Sequence, residues 1–322
     1  MSLAQATLAR KPDLDPAKFR DPRRTADGKN RARVALTALR TLWINTGSLC
    51  NIECAGCYIE SSPKNDRLAY ITRAEAAGFL DEIEALSLPV EEIGFTGGEP
   101  FMNRDLPGML EDALARGFRV LVLTNAMKPL GQKRDAVQAL AHRHGRALSF
   151  RVSIDHYTPA GHEALRGAAT WAPMIEGLTF LAGTGAALSV AARLAGPETE
   201  AETRRGFARL FADLGLALDA QSPTDLVLFP DMDARLDVPE ITEACWGILK
   251  LDPGSIMCAT SRMVVKRKGA DAPVVLPCTL LPYDAQFEMG PRLADAAGPV
   301  ALNHPHCATF CVLGGASCSG GG

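Results

Sequence analysis

"TLWINTGSLCNIECAGCYIE", residues 41–60, joins two different kinds of sequence. The first half is a short run of β-branched, aromatic and aliphatic residues, the mark of a buried strand. The second half places Cys50, Cys54 and Cys57 in the spacing C-x3-C-x2-C. The cysteines therefore fall where a strand ends and a loop begins.

Outward from this stretch the same alternation repeats. Buried-strand runs recur as "LRTLWINT", "EEIGFTG", "FRVLVLTN", "LSFRVSID", "ALSVAARL" and "TDLVLFP". Helical patterns lie between them. "TRAEAAGFLDEIEAL" opens with a capping box, Thr72 followed three residues later by Glu75. "LPGMLEDALARG" ends at Gly117, a C-cap signal. "GQKRDAVQALAHRHG", "WAPMIEGLTFLAGTG" and "ETEAETRRGFARLFADLG" follow, each closed by glycine. Strand–helix alternation argues for βα units and a parallel sheet. Six strands are two short of a full barrel. The expected fold is α/β, a partial (β/α)6 TIM-like barrel over residues 39–235, with a small cysteine-rich C-terminal extension over 236–322. Residues 1–38 are expected to form a basic arm: positions 10–34 hold nine Lys or Arg against four Asp, the composition of a solvated segment.

The chain has 322 residues, 47% hydrophobic and 22% charged, with a net charge of -3. This balance gives no global pull toward nucleic acid or membrane. No run reaches the roughly 18 apolar residues of a membrane span, and the N-terminus lacks the apolar core of a secretory signal. Cytoplasm is the expected compartment. Nine cysteines there point to metal or catalysis rather than to disulfides.

Four thiols would close a zinc site, and two would make a redox pair. Three thiolates can hold three irons of a [4Fe–4S] cube and leave the fourth open. An open metal position marks a catalytic rather than a structural site. With this loop at the rim of a parallel barrel, the chain resembles the radical S-adenosylmethionine (radical SAM) superfamily. "FTGGEP", Phe95 to Pro100, resembles the family's GGEP motif; "LTNA" at 123–126 and "RVSIDHYTPAGHEALRG" match its third and fourth strands. The resemblance implies a cluster on Cys50, Cys54 and Cys57 whose open iron binds S-adenosylmethionine. Reductive cleavage then yields a 5′-deoxyadenosyl radical that abstracts hydrogen from substrate. It further implies cofactor contacts from Gly97, Gly98, Glu99, Thr124, Asn125, Ser153 and Asp155. Arg193 is the candidate partner of the cofactor carboxylate, and Arg166 starts the next loop. One position departs from the family: the residue before the third cysteine is usually aromatic, and here it is Gly56, with Tyr58 as the candidate replacement. His142 and His144 read as solvent-facing; His156 and His162 are candidates for substrate contact.

A second cysteine group follows. Cys258 and Cys278 bracket a hairpin turning at Gly269, between the runs "RMVV" and "PVVLP". Cys307, Cys311 and Cys318 come after it. The group resembles the twitch and SPASM extensions of radical SAM enzymes, which implies one auxiliary [4Fe–4S] cluster. Zinc is the alternative, since thiolates alone do not separate the two metals; His304 and His306 leave mixed ligation open. Cys245 reads as a small buried apolar residue.

The expected function is radical modification of a substrate, a peptide in the maturase manner. The alternatives are a small metabolite, such as an arsenical or a cofactor precursor, or a non-catalytic iron–sulfur electron carrier or sensor. A carrier gains nothing from an open iron. A zinc-stabilised module binding RNA through the basic segment lacks the aromatic motifs of that class. A flavodoxin- or ferredoxin-type electron donor is the implied protein partner.

Overall fold

The computed structural model describes residues 13–194 and 196–316. Six strands occupy the six runs: β1 (Thr41–Asn45), β2 (Glu92–Thr96), β3 (Arg119–Thr124), β4 (Leu148–Ser153), β5 (Ala187–Leu194) and β6 (Leu226–Pro230). Each pairs with the next in parallel. The connections carry helices α1 (Arg73–Ala85), α2 (Leu106–Ala115), α3 (Arg134–His144), α4 (Pro159–Arg166), α5 (Trp171–Ala182) and α6 (Glu200–Asp213). Thr72 and Glu75 form the capping box of α1, and Thr199 and Glu202 form another at α6. Every residue of β1 and β2 is buried, as strands covered on both faces require.

Two apolar clusters divide the sheet's faces. One packs Ile44, Phe95, Val122 and Phe150 under helix residues such as Phe79, Leu110 and Leu178. The other fills the concave side with Trp43, Leu121 and Met263 and continues into the C-terminal region through Leu280, Leu281 and Phe310.

The sheet does not stop at six strands. β7 (Ser261–Val265) pairs in parallel with β1, and β8 (Val274–Leu276) closes an antiparallel hairpin on β7. The full order is β6-β5-β4-β3-β2-β1-β7-β8. The hairpin turns at Gly269, whose φ of +78° suits a residue without a β-carbon. The C-terminal region also reaches the other edge: Phe310 packs on Phe229 of β6 with ring centroids 5.3 Å apart. It therefore touches both edges of the open barrel.

The N-terminal segment also differs from a solvated arm. Lys18 pairs with Asp237 at 2.7 Å, Leu14 N donates to Arg235 O at 2.7 Å, and Arg33–Val34 pairs with Val300–Ala301. Arg31 is buried, donating to Asp21 O and Arg24 O and forming an ion pair with Glu240. Lys18, Arg31 and Arg33 find carbonyls and carboxylates of the C-terminal region, which composition alone does not reveal. No helix among the described residues is long and apolar enough to cross a membrane.

Candidate active site

The C-terminal ends of the strands converge on a cavity of about 170 Å³. Cys50, Cys54 and Cys57 line it, together with Gly97, Gly98, Asn125, Ser153, Asp155 and Arg193. Thr124 and Tyr58 line it too.

The cysteine loop leaves β1 and is held at several points. Cys50 N donates to Ser62 O at 3.1 Å, and Ala55 N donates to Leu165 O at 2.7 Å. Arg193 donates through Nη1 to Ala55 O at 2.8 Å and to Gly56 O at 3.3 Å. Gly56 has φ +65°, and a β-carbon there would lie 3.1 Å from Arg193 Nη1. The Arg193 guanidinium thus packs against the Gly56 backbone, close to where a β-carbon would stand.

The GGEP segment packs directly on this loop. A β-carbon on Gly98 would lie 2.1 Å from Leu49 O, and one on Gly97 would lie 2.6 Å from Gly47 O. Both glycines are needed for backbone to meet backbone beside Cys50. Glu99 lies beneath, buried. Its carboxylate accepts from Thr124 Oγ1 at 2.8 Å, Asn125 N at 2.8 Å and Phe101 N at 3.1 Å. Burial pushes its pKa up to about 7 against the pull of these donors. Asn125 donates to Asn51 Oδ1 at 2.9 Å and lies 3.7 Å from Cys50 Sγ.

Asp155 gathers two guanidiniums. Arg193 Nη2 lies 2.7 Å from Oδ2, and Arg166 Nε lies 2.9 Å from the same oxygen as an ion pair without hydrogen-bond alignment. Burial opposes ionisation of Asp155, but Arg166 and Arg193 outweigh it and lower its pKa. This cationic triad faces Cys54. Burial raises the Cys54 pKa, with Arg166 opposing. Burial pushes Cys50 up to about 12.

The structure adds cavity residues that sequence reading passed over: Arg151, Phe229, Met232, Leu280 and Phe310. Alternation along β4 could have found Arg151, since it shares a face with Ser153. The histidines lie elsewhere. His156 stacks on Tyr157, 4.3 Å between centroids. His162 is buried edge-on to Trp171 at 5.5 Å, and burial pushes its pKa down to about 4. His142 is exposed, and His144 Nε2 lies 3.5 Å from Glu111.

Cys258, Cys278, Cys307 and Cys311 line one small cavity with Met257 and Leu280. All four are buried. Leu280 lines both cavities, so a single side-chain layer separates them there. Cys307 and Cys311 sit on a wide helical turn, Cys307–Val312, closed by Leu313 N donating to Ala308 O at 2.9 Å. Cys318 lies outside the described residues. Cys245 is half-buried, with Thr242 Oγ1 3.4 Å from its sulfur. His304 and His306 pack on each other at 4.7 Å and do not line the cysteine cavity.

Comparison with known proteins gives the same direction. The chain is 32% identical over 79 residues to Fe-coproporphyrin III synthase of Methanosarcina barkeri, covering 24% of this chain and 18% of that protein. It is 28% identical over 136 residues to mycofactocin maturase MftC of Mycobacterium ulcerans, covering 42% and 34%. It thus spans about a third or less of these relatives' lengths. Its fold resembles SuiB of Streptococcus suis, solved with S-adenosylmethionine: TM-score 0.57, 10% identity, covering 79% of this chain and 63% of that one. SuiB has also been solved with the precursor peptide SuiA, again at TM-score 0.57. The model of the Radical SAM superfamily matches residues 44–210, more than half of the chain, from within β1 through most of α6. The chain belongs to the Radical SAM superfamily.

Proposed function

We propose that this chain is a radical SAM enzyme whose first cluster is held by Cys50, Cys54 and Cys57, and that its substrate is a peptide. Superfamily membership implies a [4Fe–4S] cluster and S-adenosylmethionine. The observation that carries the reading is the meeting of the three thiols, the GGEP backbone and the Asp155 pair on one cavity.

The donor set suits a cationic iron–sulfur core. Buried thiols with raised pKa values need a positive partner to become thiolates. Three thiols on one loop, all lining one cavity, suit three corners of an iron–sulfur cube. When bound, the cluster supplies one electron to S-adenosylmethionine, whose cleavage furnishes the hydrogen-abstracting radical.

The chain's own groups bind and orient. Glu99, Thr124 and Asn125 form a buried hydrogen-bonded floor. Its charge favours an ammonium group, as on the methionyl part of the cofactor. Arg166 and Arg193 offer cationic partners for its carboxylate, with Asp155 fixing their orientation. Ser153 and Tyr58 complete the wall. Phe229, Met232, Leu280 and Phe310 form an apolar side that excludes water from the substrate's reacting carbon.

In the C-terminal region, Cys258, Cys278, Cys307 and Cys311 are the proposed ligands of an auxiliary [4Fe–4S] cluster. Cys318 remains a candidate from outside the described residues. Held by these cysteines, such a cluster would be separated from the substrate cavity by the Leu280 side chain and would supply electron transfer to or from substrate. A peptide substrate is supported by relatives named as a maturase and as a complex with a precursor peptide. The synthase match, named for a tetrapyrrole, makes a small metabolite the second reading. A flavodoxin- or ferredoxin-type protein is the proposed electron donor, and the cytoplasm the proposed compartment. The test is anaerobic reconstitution with iron and sulfide, reduction by dithionite, and mass spectrometry of S-adenosylmethionine products and of candidate peptides. Modified peptide is expected. Cofactor cleavage with only small metabolites modified would move the assignment to the second reading.

A further inference from the structure

Two guanidiniums are wholly enclosed in the C-terminal half of the core, Arg31 and Arg262. They are balanced differently. Arg31 has a carboxylate, Glu240, in ion-pair contact. Arg262, on β7, spends its donors on backbone carbonyls. Nε donates to Ala296 O at 2.8 Å. Nη1 donates to Cys258 O and to Ser261 O, each at 2.7 Å, and Nη2 to Gly298 O at 3.3 Å. Among the described residues it forms no ion pair with a carboxylate. The carbonyls satisfy its hydrogens but bring no net negative charge. An unbalanced charge so deep in apolar packing is strongly unfavourable.

The groups placed to balance it are thiols. Arg262 Nη1 holds the carbonyl of Cys258, whose sulfur lines the cysteine cavity together with Cys278; burial disfavours the charged form of both Arg262 and the Cys258 thiol, and each favours ionisation of the other. The grip on the carbonyl fixes the Cys258 backbone as well. As neutral thiols these cysteines balance nothing. On metal binding each thiol gives up its proton, and the thiolates of Cys258, Cys278, Cys307 and Cys311 bring more negative charge than an iron–sulfur core returns. The centre is then anionic, in a cavity whose walls are otherwise apolar side chains such as Met257, Leu280 and Leu281.

We propose that Arg262 is the buried counter-charge of the C-terminal thiolate centre, so that metal retention there depends on the positive charge at position 262. The proposal rests on the reading that these cysteines hold an auxiliary cluster, and it adds a positioning residue that is not a ligand. The rival explanation is a purely structural staple joining Cys258, β7 and residues 296–298.

The two are separated in the full-length chain carrying Cys50→Ala, Cys54→Ala and Cys57→Ala, which leaves only the C-terminal site. This parent, Arg262→Met, Arg262→Gln and Arg262→Lys are reconstituted anaerobically with ferrous iron and sulfide. Iron per chain and the rate of iron loss to a chelator are measured, with circular dichroism as the fold check. The parent should hold about four irons. The neutral variants should lose iron at least about tenfold faster, with the Gln variant deciding if Met does not fold, because an uncompensated buried charge destabilises the centre. The Lys variant should stay near the parent. Reduction of the centre should shift to more negative potential in the neutral variants, since a nearby cation favours the added electron. Equal iron loss from Met, Gln and parent would overturn the proposal. So would equal loss from Lys and Gln, which would leave only the staple. A parent that holds no iron would overturn the auxiliary-cluster reading and this proposal with it.

Discussion

Replacing Gly98 by Ala tests whether the GGEP backbone must touch the cysteine loop. The added β-carbon would lie 2.1 Å from Leu49 O and 2.6 Å from Ser48 O. Ordinary carbon–oxygen contacts begin near about 3.3 Å, so the two segments must separate by roughly 1 Å. Two backbone hydrogen bonds cross this contact: Gly98 N to Gly47 O at 2.8 Å and Glu99 N to Leu49 O at 3.1 Å. Overpacking costs about 1–3 kcal/mol, and weakening the bonds adds about 1–2 kcal/mol. The expected loss is about 3 kcal/mol, lowering Tm by about 4–5 °C. Cys50 follows Leu49 directly, so iron loading at the loop should fall as well. Gly78→Ala is the control: it lies on α1 with nothing within 4 Å of the new carbon. It should stabilise by about 0.5–1 kcal/mol. Thermal unfolding and iron content are measured for both. A Gly98→Ala protein melting within about a degree of the parent, with full iron, would refute the close-approach argument.

Three further outcomes follow from the same geometry. Glu99 is held at about 7 against an ordinary 4.5, so the folded state binds its proton more tightly than the unfolded state. Its contribution is complete below about pH 4.5 and is lost as pH rises through about 7, a change of about 3 kcal/mol. In urea unfolding without cofactor, the parent should lose that much relative to Glu99→Gln between pH 4.5 and 8; parallel pH profiles would contradict the buried-carboxyl account. Asp155→Ala leaves Arg166 and Arg193 without their shared carboxylate, and should cost about 3–5 kcal/mol; a loss under about 1 kcal/mol in chemical denaturation would show the pair is not structural. Finally, the reconstituted parent should carry about eight irons, and Cys258→Ser with Cys278→Ser about four. That double variant should keep dithionite-driven cofactor cleavage while losing substrate modification; unchanged iron content would remove the auxiliary cluster.

The six parallel strands were legible because most are near-continuous apolar runs, as strands buried on both faces are, while β4 alternates apolar and polar residues along Leu148–Ser153. The cap of α1 was legible because a capping box is local chemistry; the box at α6, Thr199 with Glu202, is the same local pattern and emerged only in the structure. β7 was harder. "RMVV" reads as a hairpin strand, but its parallel pairing with β1 joins residues more than two hundred apart in sequence, and no local pattern encodes such a partner. The basic segment misled for a related reason. Nine cations suggest solvation, yet Arg31 meets Glu240 and backbone carbonyls in a buried pocket. At the rim, the cysteines and glycines declared themselves by spacing. The Asp155–Arg166–Arg193 triad did not, since three ordinary charged residues acquire meaning only when α4 and β5 bring them together. Gly56 was visible as a departure, but the guanidinium packed against it was not.

The central claim is that the loop thiols hold the centre that cleaves S-adenosylmethionine. The most direct measurement is 5′-deoxyadenosine formed by anaerobically reconstituted protein under dithionite, in the parent and in Cys54→Ala. The parent should produce it over many hours even without substrate, and the variant should produce none above the protein-free background while circular dichroism remains unchanged. Equal production by the two proteins, or none by a fully iron-loaded parent, would contradict the account.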